Sequence, residues 1–298
     1  MFTTIIVKKL VTITLPQLLL ELLLNFYINF QNFSTFETMS SISSSSDSQS
    51  TTSIPLLPSA STSISMPSSS WPTLTYKELD NLFCGPNAFE AYDILKNRYT
   101  DGDHTIPVLW RLARYCHKAA DGLETDKEKY LMLREGLDYA EEAYRDDHTD
   151  HSAAKWCALL SGKLKDYLNP WAKVRMNEQY RRYLSRAIQI KPEVTLLHLR
   201  GVWNYEAASL SLWERQKYIA LLCRPPVATF WNAVSDFKEA AEMNQYFLEN
   251  QAYLGLSYYK INQAIKGQRH LRVARTMPEN TPERIALAAE VEKVWKSL

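Results

Sequence analysis

The densest group of residues that could bind a metal lies in an acidic segment near the middle of the chain. His148 and His151 stand three residues apart, and Asp146, Asp147 and Asp150 surround them. Histidine nitrogens and carboxylate oxygens are zinc ligands, but this H-x-x-H spacing has neither a glutamate base nor a recognisable third ligand. We therefore expect a solvated turn between two helices, and we predict no metal or cofactor.

Nucleophilic and phosphate-binding chemistry is not indicated either. The four cysteines, Cys84, Cys116, Cys157 and Cys223, are far apart and form no C-x-x-C pair. We predict buried, unreactive thiols in a reducing compartment. Because the sequence also lacks a phosphate-binding glycine loop and a G-x-S-x-G motif, we predict that the protein is not an enzyme.

Charge patterning gives a stronger indication of a binding site than any catalytic motif. The net charge is only +1, yet residues 155–191 contain nine basic residues against two acidic ones. From this block we predict a basic partner-binding patch consisting of Lys173, Arg175, Arg181, Arg182 and Arg186. A second basic stretch without any acidic residue includes Lys266, Arg269, Arg272 and Arg275.

These basic stretches have two interpretations. They are either the solvated faces of amphipathic helices or a surface that attracts acidic partners in a salt-dependent way. Acidic protein tails and anionic lipid head groups would both fit such a surface. Nucleic acid is not expected, because the overall charge is near neutral and no recognition motif is present.

The sequence predicts that the basic residues lie on helices. Hydrophobic residues make up 46% and charged residues 22% of the 298 residues, as in an ordinary globular protein, and only eight glycines are present. From residue 74 to residue 298, apolar residues recur at spacings of three and four without sustained strand alternation. We predict one all-α domain over 74–298.

A small-large-small pattern recurs with a period of 34 residues, which is typical of tetratricopeptide repeats. Within each predicted hairpin, small residues on one helix should face the other helix at close range. In the last repeat these close-contact positions are Gly255 on the first helix and Gly267 on the second, twelve residues apart. The residues predicted to build the repeats are Gly201, Ala233, Phe237, Ala240, Gly255, Gly267, Leu271 and Ala274.

The repeat before the last is interrupted. Gly201 and Ala233 are 32 residues apart instead of twelve, so about twenty residues are inserted. The insertion is apolar enough to predict an extra helix ending at Pro225-Pro226. After the last repeat, Thr281 should begin a C-terminal capping helix, with Ile285, Ala288 and Trp295 on its inner face. The predicted fold is a tetratricopeptide-like solenoid of helical hairpins with an inserted helix and a C-terminal cap.

The inner face of the last repeats differs from the carboxylate-binding pattern of some tetratricopeptide domains. That pattern needs Lys, Arg and Asn on the first helices of successive repeats. Here the corresponding positions hold His198, Val202, Tyr205, Ala252, Leu256 and Tyr259. We therefore predict an aromatic and apolar groove, without a carboxylate clamp.

The N-terminal quarter differs from the rest of the chain. Residues 1–38 form a hydrophobic leader, for which a membrane anchor, a targeting peptide and an unstructured segment all stay open. Residues 39–73 are rich in Ser and Pro, so we predict a disordered linker. Met39 could serve as an alternative start.

The segment from Leu196 to Ala241 resembles the regulator of microtubule dynamics family. The resemblance is carried by the G-x-W-x-Y motif that begins at Gly201, the L-S-x-x-E-R run, the proline pair and the helix containing Phe237. It extends from about Trp110 to the C-terminus, and the inserted helix is its distinctive part.

This resemblance implies a non-catalytic protein that associates with microtubules, tubulin or spindle regulators. It implies a role in spindle organisation and chromosome segregation during mitosis, with a cytoplasmic and cytoskeletal location at the spindle and its poles. The alternative that it implies is a lipid-binding or tethering protein, anchored to mitochondria or another membrane through residues 1–38.

Overall fold

The computed structural model describes residues 74–85 and 88–298. These residues form twelve α-helices and two short 3-10 helices, and they include no β-strand. The α-helices are α1 (Tyr76–Cys84), α2 (Ala88–Thr100), α3 (Ile106–Ala119), α4 (Asp126–Asp146), α5 (His151–Leu164), α6 (Pro170–Ile190), α7 (Val194–Ser209), α8 (Leu212–Leu222), α9 (Phe230–Met243), α10 (Leu248–Lys260), α11 (Ala264–Ala274) and α12 (Pro282–Trp295).

The predicted leader at 1–38 and linker at 39–73 lie outside the described residues. Within 74–85 and 88–298, none of the helices has the combination of length and hydropathy that a membrane span requires.

Local sequence signals explain where the helices begin. Thr125 starts α4 with a capping box: its hydroxyl accepts a hydrogen bond from the Glu128 amide at 3.2 Å, and the Glu128 carboxylate accepts one from the Thr125 amide at 3.1 Å. The same reciprocal arrangement begins α1, α8 and α9. Asn169 caps α6, and Pro170 fits its first turn, where no amide hydrogen is needed.

The helices pack as hairpins that stack along the chain. Helix α3 packs against α4, α5 against α6, α7 against α9, and α10 against α11. Each hairpin also contacts the next one, through α4 and α5, α6 and α7, and α9 and α10. Helices α1 and α2 form a further pair that packs on α3. This is the tetratricopeptide-like solenoid that the repeat pattern predicts.

Close approach between the two helices of a hairpin occurs at glycines. A Cβ atom at Gly201 would lie 2.5 Å from Cε1 of Phe237, so only glycine fits opposite that ring. Likewise, a Cβ at Gly255 would lie 2.7 Å from the Leu271 side chain. Gly267 packs against the carbonyl of Gly255. The remaining small residues of the pattern, Ala233, Ala240 and Ala274, are all buried.

The segment inserted between α7 and α9 forms helix α8, which packs against α6 of the preceding hairpin. Tyr218 is its one buried residue, and its hydroxyl accepts a hydrogen bond from the Asn177 amide at 2.6 Å. Leu212 and Trp213 at its start are 83% and 66% exposed. The apolar residues of the insertion are therefore only partly used in the core.

Helix α12 packs against α10 and α11 and closes the end of the solenoid. Thr281 caps it by accepting a hydrogen bond from the Arg284 amide at 3.3 Å. Its buried side chains are Leu287, Val291 and Val294. Ala288 and Trp295 pack against the same cluster, as predicted, but the prediction that Ile285 faces inward is wrong, because this residue is 50% exposed.

Candidate protein-binding surface

Helix α6 carries the predicted basic patch. Its buried positions are Val174, Met176, Glu178, Tyr180, Leu184, Ala187 and Ile188. Packing of the apolar positions fixes the helix, and the long basic side chains of the patch are exposed or half-buried. Arg175, Arg182 and Arg186 lie on the side opposite the buried positions, whereas Arg181 lies beside them.

Three arginines converge on one glutamate of this helix. Arg181 holds Glu178 with two hydrogen bonds, at 2.7 Å and 3.0 Å. Arg182 reaches the same carboxylate at 3.4 Å, and Arg224 reaches it at 2.8 Å. Arg181, Arg182 and Arg224 around Glu178 form the arginine cluster. Three positive charges face one negative charge, so the cluster has a positive surplus.

The charge state of Glu178 follows from two opposing effects. Burial alone raises the pKa of its carboxyl group, because it disfavours the ionised form. The hydrogen bonds and the charge of Arg181, together with the charge of Arg224, outweigh burial and leave the pKa below its usual value. Glu178 is therefore ionised at neutral pH and orients the three guanidinium groups.

Arg224 belongs to the site although the sequence analysis did not include it. It follows Cys223, which ends α8 in the left-handed conformation with φ 56°, and it precedes Pro225 and Pro226. This turn brings Arg224 back to α6, 46 residues away in sequence. A lone arginine beside a proline pair at the end of the insertion is the one sequence signal that could have identified it.

A cavity of about 130 Å³ adjoins the arginine cluster between α6, α8 and the turn after α8. Its walls combine the charged groups of the cluster with apolar side chains. The lining residues are Glu178, Arg181, Tyr218, Leu222, Arg224, Pro225, Pro226 and Val227.

Lys173 and Arg186 of the predicted basic patch contact groups outside the arginine cluster. Lys173 forms an ion pair with Asp166 at 2.9 Å. Arg186 donates to the carbonyl oxygen of His148 at 3.0 Å and to Gln189 at 2.9 Å. Arg175 is exposed on the same helix. The structure thus resolves the predicted patch into one cluster and separate positions along α6.

The second basic stretch lies on α11, in a different hairpin. Arg275 pairs with Glu292 of α12, and its guanidinium lies 4.8 Å from the centre of the Trp295 ring. Lys266, Arg269 and Arg272 are exposed. Within the described part of the chain, none of these three forms a salt bridge. Their positive charges are therefore not offset by paired carboxylates.

The predicted apolar groove in the last repeats is covered by α12. Leu287, Val291 and Val294 of this helix pack into the same cluster as Tyr205 and Leu256. The Tyr205 hydroxyl also donates to Glu290 at 2.8 Å. The prediction of an open groove at this place is wrong, because the chain fills it with its own C-terminal helix.

The histidine and aspartate segment shapes the turn before α5. Asp150 caps that helix by accepting a hydrogen bond from the Ala153 amide at 2.7 Å, and Asp147 accepts hydrogen bonds from Thr149. Among the described residues, no group of three or more potential ligands is arranged to hold a metal ion.

The cysteines fall into two pairs by exposure. Cys116 and Cys157 are buried, and burial raises the pKa of both thiols. Cys84 and Cys223 are exposed, so the prediction of burial is wrong for these two. Each of the exposed residues lies at the end of a short helix, α1 or α8, that buries only one side chain.

The stacked helical hairpins define the class of this protein as tetratricopeptide-like repeat proteins. The inserted helix and the charged pocket beside it are additional features. Comparison with known sequences narrows this class. A sequence profile of the family described as regulator of microtubule dynamics protein 1-3 matches residues 75–298. The chain belongs to this family. The match begins about 35 residues earlier than the resemblance noted from the motifs, so it also includes α1 and α2.

Individual relatives agree with this assignment. Regulator of microtubule dynamics protein 1 from Caenorhabditis elegans is 30% identical over 200 residues, covering 67% of this chain and 88% of that protein. The protein of the same name from Pongo abelii is 28% identical over 223 residues, covering 74% and 71%. Regulator of microtubule dynamics protein 3 from Xenopus laevis is 28% identical, and the aligned part covers 49% of its length.

Solved structures show a weaker likeness. A thermophilic tetratricopeptide repeat protein from Thermus thermophilus aligns over 73% of this chain and 97% of its own, with 13% identity and a TM-score of 0.46.

Proposed function

We propose that the protein is a non-catalytic microtubule-associated protein that acts in spindle organisation and chromosome segregation. In this proposal the helical repeat domain binds an acidic protein surface, on tubulin or on a spindle regulator, through the basic face of α6. The protein then acts in the cytoplasm, on the cytoskeleton.

The observation that carries the proposal is the arginine cluster. Its three guanidinium groups are fixed by one ionised carboxylate, and two of them are more than half exposed. Guanidinium groups bind carboxylates through paired hydrogen bonds, so a fixed, positively charged surface favours acidic protein partners. Relatives of the chain are named for regulation of microtubule dynamics, which supports microtubules as the partner.

Co-sedimentation with microtubules tests the proposal. We would replace three exposed residues of α6 in one variant, Lys173→Glu, Arg175→Glu and Arg182→Glu. We expect the affinity for microtubules to fall at least tenfold at low ionic strength, since each reversal replaces attraction by repulsion. Circular dichroism would show that the helices are retained.

The matched control makes the same charge change on α11, with Lys266→Glu, Arg269→Glu and Arg272→Glu. We expect it to bind within about threefold of the unmodified protein, since only non-specific attraction is lost. Unchanged binding of the α6 variant at low salt would contradict the assignment of residues. Loss of binding only in the control would move the site to α11, and no binding by the unmodified protein would contradict the proposed function itself.

A further inference from the structure

The arginine cluster and the cavity beside it form a composite site, charged on one side and apolar on the other. We propose that this site binds an acidic peptide segment in which one aromatic or branched apolar side chain is flanked by glutamates or aspartates. The inference rests on the proposed function, because it specifies the chemistry of the partner that the basic face of α6 recognises.

Donor groups remain available in the cluster. A guanidinium group has five N–H donors, arranged as a planar fork that matches a carboxylate. Among the described residues, Arg182 and Arg224 each make one hydrogen bond, both to the same oxygen of Glu178. The side chains are 66% and 54% exposed, so their remaining donors face solvent. Two further carboxylates can be bound there without displacing Glu178.

Two of the three arginines, Arg181 and Arg224, are restricted before any ligand binds. Arg181 is fixed by its two bonds to Glu178, and Arg224 lies between a helix end and two prolines, whose φ angles are restricted. Pro226 is itself buried. A site with restricted side chains loses less conformational entropy when it binds, which favours a specific peptide over diffuse attraction.

The volume of the cavity indicates which further group of the ligand it can hold. Its volume of about 130 Å³ is close to the roughly 150 Å³ of an apolar cavity that accommodates benzene. The apolar part of its wall comes from Leu222, Pro225, Pro226 and Val227. It is therefore large enough for one aromatic or branched side chain.

Fluorescence anisotropy with labelled synthetic peptides tests this inference on the full-length chain. The probe is a short glutamate peptide with one central phenylalanine. Two companion peptides replace either the phenylalanine by glycine or the glutamates by glutamines. We expect the first peptide to bind at least tenfold more tightly than either companion, because each companion lacks one half of the recognition.

Two variants separate the charged and apolar halves of the site. Arg182→Gln combined with Arg224→Gln leaves the pair of Arg181 and Glu178 intact, and we expect at least tenfold weaker binding of the probe. Val227→Asn alters an 84% exposed side chain, so folding should be unaffected. We expect this variant to reduce the preference for phenylalanine over glycine, because Val227 is one of the four apolar residues that line the cavity.

The control, Arg269→Gln combined with Arg272→Gln, removes the same charge from α11 and should leave binding unchanged. Equal weakening by both double variants would overturn the inference, because only overall charge would then matter. Binding to vesicles containing an anionic phospholipid that depends on Arg182 and Arg224, without binding of the peptide, would also overturn it in favour of a membrane.

The inference and the proposed function fail in different ways. Microtubule co-sedimentation without binding of the phenylalanine peptide would overturn the composite site and leave the proposed function standing. Peptide binding that depends on the cluster, with no microtubule binding, would support the site and contradict the assigned partner.

Discussion

The hairpin of α7 and α9 and the hairpin of α10 and α11 show how the same packing tolerates different connections. In the second hairpin, three residues join the two helices. In the first, twenty residues intervene and include the whole of α8. Yet both hairpins place a glycine against a large, fully buried side chain, Phe237 in one and Leu271 in the other.

The comparison shows that helix pairing and surface are specified by different residues. Contacts between small and large residues hold α7 against α9, independently of the length of the segment that connects the two helices. A polar contact adds to this, since Asp236 of α9 accepts hydrogen bonds from Arg200 and Asn204 of α7 at 2.6 Å and 2.7 Å. The insertion is thereby free to pack on α6 and to supply Arg224 to the arginine cluster.

The largest expected effect comes from truncating the two buried side chains. Phe237→Ala should lower the free energy of unfolding by about 3–5 kcal/mol, and Leu271→Ala by about 2–5 kcal/mol. Within this range we expect the phenylalanine to matter more. Its ring contacts α7 at Gly201 and stacks on Tyr253 of α10, 5.5 Å between ring centres, so its loss loosens two hairpins.

Urea unfolding followed by circular dichroism measures both variants. A greater loss for Leu271→Ala than for Phe237→Ala would mean that the interrupted hairpin depends less on its central contact than the regular one, contrary to the comparison.

The next effect is a dependence of stability on pH. Burial lowers the pKa of His198 on α7 from 6.5 to about 4. Below pH 6.5 the His198 imidazole therefore binds a proton in the unfolded chain, while it stays neutral in the folded protein. Stability present at neutral pH is lost as the pH falls toward 4, by up to about 3 kcal/mol.

Chemical denaturation of the unmodified protein and of His198→Gln, from pH 7 to pH 4.5, tests this dependence. The variant should lose less stability over this range than the unmodified protein. His270→Gln on α11 is the control from the regular hairpin. Burial, aided by Arg269, also lowers the pKa of His270, but this side chain is less buried, so we expect a smaller change. Identical pH profiles for all three proteins would refute the prediction.

The smallest effect concerns two residues with positive φ angles. Cys223 ends α8 with φ 56°, and Asn262 lies between α10 and α11 with φ 59°. Asparagine tolerates this conformation better than cysteine does. We expect Cys223→Gly to stabilise the protein by up to about 1 kcal/mol, and Asn262→Gly by less than about 0.5 kcal/mol. Thermal melting measures both, and a larger gain for Asn262→Gly would refute the argument.

Sequence reasoning predicted the pairing of helices well, because the small and large residues that make the pairing contacts recur with a fixed period in the sequence. The 34-residue period at Ala233 and Gly267 arises from the same close contacts that the structure shows. It also predicted a helix in the insertion. It did not predict that α8 packs on α6, because that contact depends on one buried residue, Tyr218, and leaves no repeating pattern.

The candidate site was predicted only in part. Local charge density identified Arg181 and Arg182, since both lie on one helix. Arg224 could not be found by counting charges, because a turn far along the chain brings it to Glu178. Of the three residues predicted to face inward on α12, Ala288 and Trp295 pack against the core and Ile285 does not. The prediction missed the buried stripe of Leu287, Val291 and Val294, whose spacings are four and three.

The position of α12 has a consequence for any ligand that would lie along α7 and α10. This helix is tethered to α11 by residues 275–281, so it competes as an intramolecular binder. Such short connections give an effective concentration on the order of millimolar. An external helix therefore has to displace α12, which is attached to the same chain. The apparent affinity of the external helix falls in proportion to the equilibrium constant for the intramolecular binding of α12.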